Sequence, residues 1–427
     1  MSAKTIKLAL VAIISIYIGL CLFSFAHHGN SALSGGFDSF GNDDAKYLRS
    51  AWTLLETGRY TYRYTDEDTV YIMPGLTTVL AAFAAVFGRY PILPFKIFQM
   101  ILGAVSIFMV FLLTKKLISP VSGLCAALIS AVYAPNIYAA NVILTEACFC
   151  FLFTALLLLT LYAVESAQMK YYAAGGAVLG LAALFRPVVI MFPLVVLVMW
   201  IIRKYKFRGM IKFSATAALI ACTVLSPWII RNYMLFGKFI PLTLSMGNPA
   251  LQGSFINYDQ SVKAEEKIDY HGIIEKNTNI NIDMSLFDKS EAVTNAVETE
   301  MLKIRFERVI SKEPLKYLHW YTIGKSIKNW ESPFLWTDLF GISMQVWEAQ
   351  HIVILSLGIF GFVLFMFRKN RSSLLWLPIL TALFFNCAHL PYYCFSRYML
   401  PVMICPIIFA SGSISAWLPP PNGKPRY

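Results

Sequence analysis

Ten apolar runs constrain this chain most: 6–26, 93–114, 120–138, 144–164, 172–186, 188–202, 212–230, 350–367, 373–391 and 398–417. A helix needs about 20 apolar residues to cross a bilayer. Inside hydrocarbon every backbone polar group must pair within its own segment, so the runs read as helices. The charges between them are sorted by sign. Lys4, Lys7, Lys115, Lys116, Lys170, Arg203, Lys204, Lys206, Arg208, Lys212, Arg368, Lys369, Arg371, Lys424 and Arg426 occupy short breaks, with Glu165 the only acid among them. Segments 27–70 and 231–349 are mildly acidic instead. Short cytoplasmic loops retain Lys and Arg. The pattern therefore predicts ten spans, both termini cytoplasmic, and two extracytoplasmic segments of substance, 27–92 and 231–349.

A chain that is 57% hydrophobic and 14% charged is too apolar for a soluble globular protein. Its net charge of +12 does not argue for nucleic acid. The excess lies in the cytoplasmic breaks, where anionic lipid head groups are the natural partner. The eight cysteines all lie in or beside apolar runs and read as small buried hydrophobes. Cys148 and Cys150 diverge on a helix and make no metal pair. The N-terminus reads as an uncleaved first span, because the run after Lys4 and Lys7 continues to Phe25 with no small-residue cleavage site. Arg186-Pro187 divides two short runs, read as two spans meeting at the outer surface. Were Pro74–Gly88 to span, every later basic cluster would invert, so it is expected to be an interfacial helix.

In the first outer segment, Asp43 to Gly58 has a helical pattern. Acids at its start suit the helix dipole, and Gly58 is a plausible C-cap. Tyr47, Leu48, Ala51, Trp52 and Leu55 share one face, which predicts a helix lying apolar side down on the membrane. In the second, 231–283 reads as irregular, Ser290–Ile310 as helical and Pro314 as its end. Trp320, Tyr321, Trp330, Trp336 and Trp347 suit the head-group region.

Adjacent helical residues diverge by about 100°, so Asp43 and Asp44 cannot aim at one atom. Lys46 and Tyr47 follow Asp43 at +3 and +4, on its face. A carboxylate, a cation and a phenol at the membrane surface suit chemistry on a lipid-linked phosphate. The acid takes a proton from an acceptor hydroxyl, and the cation stabilises the leaving phosphate. The plainer alternative is a solvated helix start with capping acids. Glu146, the only acid between 69 and 164, is expected to face the same cavity or simply water. Arg186 should have a partner, either Glu146 or a lipid phosphate. Arg231 reads as interfacial snorkelling. Arg397-Tyr398 lies on the outer side and is a candidate for the same anionic ligand. No P-loop, dinucleotide fingerprint, His-Glu-x-x-His helix or Gly-x-Ser-x-Gly elbow is present. The six histidines lack metal-ligand spacing. With no nucleotide site, an extracytoplasmic transferase needs a donor already activated in the membrane.

Several short motifs recur in a fixed order: Asp43-Asp44-Ala45-Lys46-Tyr47, Pro74-Gly75-Leu76 to Phe87-Gly88, Thr145-Glu146, Gly180-Leu181-Ala182 to Arg186-Pro187, Pro227-Trp228-Ile229-Ile230-Arg231-Asn232-Tyr233 to Phe236-Gly237, and Arg397-Tyr398 to Pro401. In this order the chain resembles the GT-C membrane glycosyltransferases of the glycosyltransferase family 39 type, which includes protein O-mannosyltransferases and aminoarabinose transferases. The resemblance implies an all-α polytopic membrane protein, a GT-C-like bundle of about ten transmembrane helices. Juxtamembrane helices would lie in the first outer loop, beside a small helical or irregular extracytoplasmic domain. Expected units are 1–230, with the site on loop 27–92, then 231–349 and 350–427.

The function implied is inverting transfer of a sugar from a polyprenyl-phosphate donor to an extracytoplasmic glycolipid or cell-wall glycan. Asp43, Asp44 and Glu146 are the expected catalytic acids. Lys46, Tyr47, Arg186, Arg397 and Tyr398 are expected at the donor phosphate. No cofactor is expected, and a divalent metal is not favoured. Met73 stands where the family often has Lys, leaving Arg63 or Arg186 as substitutes, and Pro-Gly replaces Pro-Pro. Alternative readings are a transporter or flippase, or a polymerase of lipid-linked glycans. Nearly charge-free span centres argue against ion-coupled transport, and 231–349 lacks the Arg density of a polymerase.

Overall fold

A computed structural model describes residues 1–245, 247–259, 268–277, 282–368 and 372–417. Lys369, Arg371, the Pro419–Pro421 stretch, Lys424 and Arg426 lie outside them. Every predicted apolar run is helical. The first part runs through α1 (Ala3–His28), α2 (Asp43–Thr57), α3 (Gly75–Phe87), α4 (Ile92–Leu117), α5 (Pro120–Val132), α6 (Ala134–Ala139), α7 (Glu146–Ser166), α8 (Met169–Ala183), α9 (Pro193–Ile202) and α10 (Phe207–Phe236). Short helices follow: α11 (Gly247–Ser254), α12 (Tyr270–Lys276), α13 (Glu291–Arg308), α14 (Pro314–His319) and α15 (Lys325–Trp330). The chain then re-enters the bundle as α16 (Met344–Met366), α17 (Trp376–His389), α18 (Ser396–Met399) and α19 (Ile404–Trp417).

Helices α1, α4, α7, α10 and α16 are each long and apolar enough to cross a bilayer. The pair Ser396–Val402 and Ile404–Ser415, bent by 55°, makes a sixth if counted as one span. The remaining runs form shorter helices. The 13 residues of α5 rise only about 20 Å at 1.5 Å each. The Arg186-Pro187 break divides two helices, as expected. Trp200 Nε1, near the end of α9, donates to the Tyr172 hydroxyl at the start of α8 (2.7 Å), so the two helices fold back as a hairpin.

Tertiary contacts gather the basic breaks at one end of the bundle. Lys116 pairs with Glu165 (2.8 Å), the Tyr205 hydroxyl donates to the Val164 carbonyl (2.7 Å), and Arg203 reaches Ser373 (3.1 Å). At the opposite end the close of α1 and the starts of α2, α4 and α7 converge. There Lys96, buried in the first turn of α4, donates to the Gly29 carbonyl that ends α1. A cation suits the negative end of a helix dipole.

Four local expectations are corrected. The apolar face of α2 does not lie on lipid. Tyr47, Ala51, Leu76, Leu80, Ile92 and Phe95 form one buried cluster between α2, α3 and α4, because two short amphipathic helices bury more area against each other than either would alone. Leu55 stays exposed. Residues 231–283 are not wholly irregular: α10 continues to Phe236 through Pro227, and α11 and α12 follow. Pro314 does not end the helix before it, which stops at Arg308. It opens α14 as the first-turn proline, where its missing N–H costs nothing. Arg231 does not snorkel. It pairs with Asp68 (2.9 Å) and donates to the Thr69 carbonyl (2.7 Å).

Candidate active site

Helix α2 starts without a side-chain cap from Asn42 and ends at Gly58, whose φ of +74° suits only glycine comfortably. Its first-turn acids part as the helical angle requires. Asp44 is buried and turned inward. Its Oδ2 accepts from the Ser34 and Gly35 amides (2.6 and 3.1 Å), and Oδ1 accepts from Ala45 N–H (2.9 Å). A Cβ on Gly35 would lie 2.4 Å from that carboxylate. Asp44 thus ties the preceding loop to the helix. Asp43 stays partly exposed. Its Oδ1 accepts from the Tyr62 hydroxyl (2.6 Å) and its Oδ2 from Arg397 Nη1 (3.2 Å).

Arg397 links the two acids from distant parts of the chain. Its Nε lies 3.6 Å from Glu146 Oε1, and the same oxygen pairs with Arg186. Arg186 is further held by Thr145 (3.2 Å). Glu146 is 1% exposed, and its Oε2 has no hydrogen-bond partner among the described residues. Removing either partner of such a pair strands a buried charge, at a cost of about 3–5 kcal/mol. The Tyr398 ring lies 5.4 Å from the Arg186 guanidinium and 5.6 Å from that of Arg397, within cation–π reach of both. His389 stacks on Tyr398 at 4.9 Å.

Lys46 lies one turn on from Asp43, half-exposed, 6.0 Å from the Tyr62 ring. Among the described residues it makes no ion pair of its own, whereas Arg186 and Arg397 are both committed to acids. Burial lowers its ammonium below the ordinary 10.5, Asp43 opposes the shift, and Arg63 and Arg49 add to it. For Asp43 burial acts upward, but Arg397, the Tyr62 hydrogen bond and Lys46 together hold the carboxyl below the ordinary 3.8. Burial, then the Asp43 charge, raises both Tyr47 and Tyr62 beyond the usual phenol range. Tyr62 therefore stays a donor. Its ring lies 5.2 Å from that of Tyr47.

The expected residues Asp43, Lys46, Tyr47, Glu146, Arg186, Arg397 and Tyr398 thus lie together at one end of the bundle. Arg231 stands apart with Asp68. Tyr62 was missed. The only signal was an aromatic-rich turn, Tyr60 to Tyr64, of unspecific composition. Arg49 holds that turn through the Tyr62 and Arg63 carbonyls (2.7 and 2.8 Å). Glu291 holds it from α13 by accepting from Arg63 N–H (2.6 Å) and Thr69. Met73 is buried in the core. No cluster of three or more His, Cys, Asp or Glu that could hold a metal occurs among the described residues. Between Asp43 and Glu146 stands the Arg397 guanidinium.

Residues 74–230 match the family model described as dolichyl-phosphate-mannose-protein mannosyltransferase. That stretch contains Glu146 and Arg186 but not Asp43, Lys46 or Arg397. No curated protein matches the sequence. Among solved structures, the oligosaccharyltransferase of Archaeoglobus fulgidus in its apo form superposes with a TM-score of 0.57 at 14% identity, over 97% of this chain and 51% of that one. This chain shares its fold with the matching half of that enzyme. The same archaeal enzyme with an inhibitory peptide and a dolichol-phosphate superposes with a TM-score of 0.54 at 15% identity, over 95% of this chain and 50% of that one. ArnT from Cupriavidus metallidurans bound to undecaprenyl phosphate gives 0.46 at 13% identity, over 97% and 79%, a likeness too low to carry an argument. The chain spans about half the length of the archaeal enzyme.

Proposed function

We propose that this protein transfers a sugar from a polyprenyl-phosphate donor to a hydroxyl-bearing acceptor on the extracytoplasmic side of the membrane, with inversion. The observation that carries the reading is the pairing, one helical turn apart on α2, of a carboxylate held by Tyr62 and Arg397 and an ammonium with no ion pair of its own among the described residues. The acceptor oxygen attacks the anomeric carbon as the bond from that carbon to the phosphate oxygen breaks. The hydroxyl proton passes to Asp43. Each of its oxygens keeps a free lone pair beside the hydrogen bond it already accepts. The electron pair leaves with the phosphate, whose added charge falls to Lys46, with Arg397 at the border of both acids. Glu146 and Arg186 set Arg397 in place, Tyr47 packs beside Tyr62 and Tyr398 beside Arg397, and Asp44 holds the loop before α2.

Support for the donor class comes from the dolichyl-phosphate family model over residues 74–230 and from the dolichol-phosphate present with the archaeal enzyme. A glycolipid or cell-wall glycan is the acceptor class we favour. The guanidinium of Arg397 supplies positive charge between the two acids, and we propose that no divalent metal is needed. The test is transfer of a labelled sugar from polyprenyl phosphate in membranes. Asp43→Asn should lower it by at least about 10²-fold, in the range of a lost general base, with expression unchanged, while added chelator should leave the wild type unaffected. Undiminished transfer by Asp43→Asn would discard the assignment.

A further inference from the structure

The connection that carries Arg397 leaves α17 at His389, turns through residues 390–395 and enters α18. It is held by a lysine that periodicity alone does not single out. Lys325, the first residue of α15, is 0% exposed. Its ammonium donates to the main-chain carbonyls of Leu390 (2.6 Å) and Tyr392 (2.8 Å) and lies 4.0 Å from the Tyr321 ring centre. Buried ammonium groups normally require a carboxylate. Here two carbonyls and a π face take that role, and both carbonyls belong to the turn. Two further contacts hold the same turn. Tyr393 N–H donates to the Pro249 carbonyl (2.8 Å). Gly253 lies so close that a Cβ would come within 2.4 Å of the Tyr392 carbonyl carbon. Four residues after Tyr393, Arg397 meets Asp43 and Glu146.

We infer that Lys325 is a positioning residue for sugar transfer: it fixes the 390–393 turn and thereby the place at which Arg397 meets Asp43 and Glu146. The inference rests on the glycosyl-transfer reading above. A guanidinium displaced by about 1 Å is enough to cost about 100-fold in turnover when it stabilises charge in the reacting geometry.

The test uses the full-length protein. Cys394, whose Sγ lies 3.8 Å from the Lys325 carbonyl, reports on the turn through peptide-resolved maleimide labelling. Lys325→Met keeps the stem and removes the donors. Compared at equal thiolate fraction, since the Lys325 charge also lowers the thiol's pKa, Cys394 should label about tenfold faster, the factor carried by one net hydrogen bond. Turnover should fall about 100-fold with little change in the KM for acceptor. Lys325→Arg should restore part of both, and Lys325→Met should cost far less in an Arg397→Lys background. Gly253→Ala disturbs the turn from the other side and should move both readouts the same way, which keeps the test open if Lys325→Met fails to fold. Unchanged labelling in both variants, or faster labelling with undiminished turnover, overturns the inference while wild-type transfer stands. A wild type that transfers no sugar overturns the glycosyl-transfer reading itself, and the positioning role with it.

Discussion

In the proposed reaction two residues of one helical turn carry the chemistry, and their titrations move in the same direction. The Asp43 carboxyl lies below its ordinary value because Arg397, Tyr62 and Lys46 outweigh the effect of burial. Its basic form is therefore lost only as pH falls through that lowered value. Lys46 also lies below its ordinary value, chiefly through burial. Its cationic form is present at low pH and is lost as pH rises, earlier than for a free lysine. The state with both charges thus extends further on the acid side and less far on the alkaline side. Donor binding by the wild type should weaken at a pH below 10.5, the ordinary lysine value. Lys46→Arg should move that alkaline limb upward, since guanidinium does not deprotonate in proteins. Donor titrations across alkaline pH read the limb, and identical limbs would remove Lys46 from the phosphate. The identities of these residues were legible from the acid pair and its +3 and +4 neighbours. Their partners were not. Tyr62 and Arg397 reach Asp43 from 19 and 354 residues away, and no local pattern encodes such a pairing.

At the scale of elements, close packing of α8 on α10 shapes this side of the bundle. Gly176 faces α10 so closely that a Cβ would lie 2.4 Å from the Ala217 carbonyl oxygen, and one on Gly180 would lie 2.8 Å from Val224 Cβ. Membrane helices pack through such small residues because lipid offers apolar side chains no less favourable an environment than another helix does. Gly176→Leu should therefore destabilise the detergent-extracted protein by about 1–3 kcal/mol and lower its midpoint of thermal unfolding. Gly175→Leu should not, because nothing lies within 4 Å of a Cβ there. Equal shifts for the two would show that this seam carries no packing constraint. Helix existence was readable from apolar length, and the Arg186-Pro187 division from helix-breaking chemistry. The partner of α2 was not. Its apolar stripe fits either a lipid surface or a neighbouring helix, and the buried cluster with α3 makes the choice.

For the whole molecule, the basic breaks gather at one end and the Asp43–Arg397–Glu146 cluster lies at the other. We read the basic end as cytoplasmic, since Lys and Arg are retained there during insertion. In a cysteine-free background, a cysteine at the exposed position Asp38 should react with a membrane-impermeant maleimide added to intact cells. One at the exposed position Lys204 should react only after permeabilisation. The opposite pattern would invert the topology and remove the donor from reach of the cluster. The apolar runs, the signed charge pattern and the helix start at Asp43 determined by themselves that this chain is a helical membrane protein with its acids grouped away from its basic ends. Those properties depend on solvation and local backbone geometry, which neighbouring residues settle. Tertiary structure decided that Arg397 stands between Asp43 and Glu146, that Asp44 serves a loop, that Arg231 serves Asp68, and that Lys325 anchors a turn. Each is a match between donors and acceptors far apart in the chain, and only the packed fold brings them within hydrogen-bonding distance.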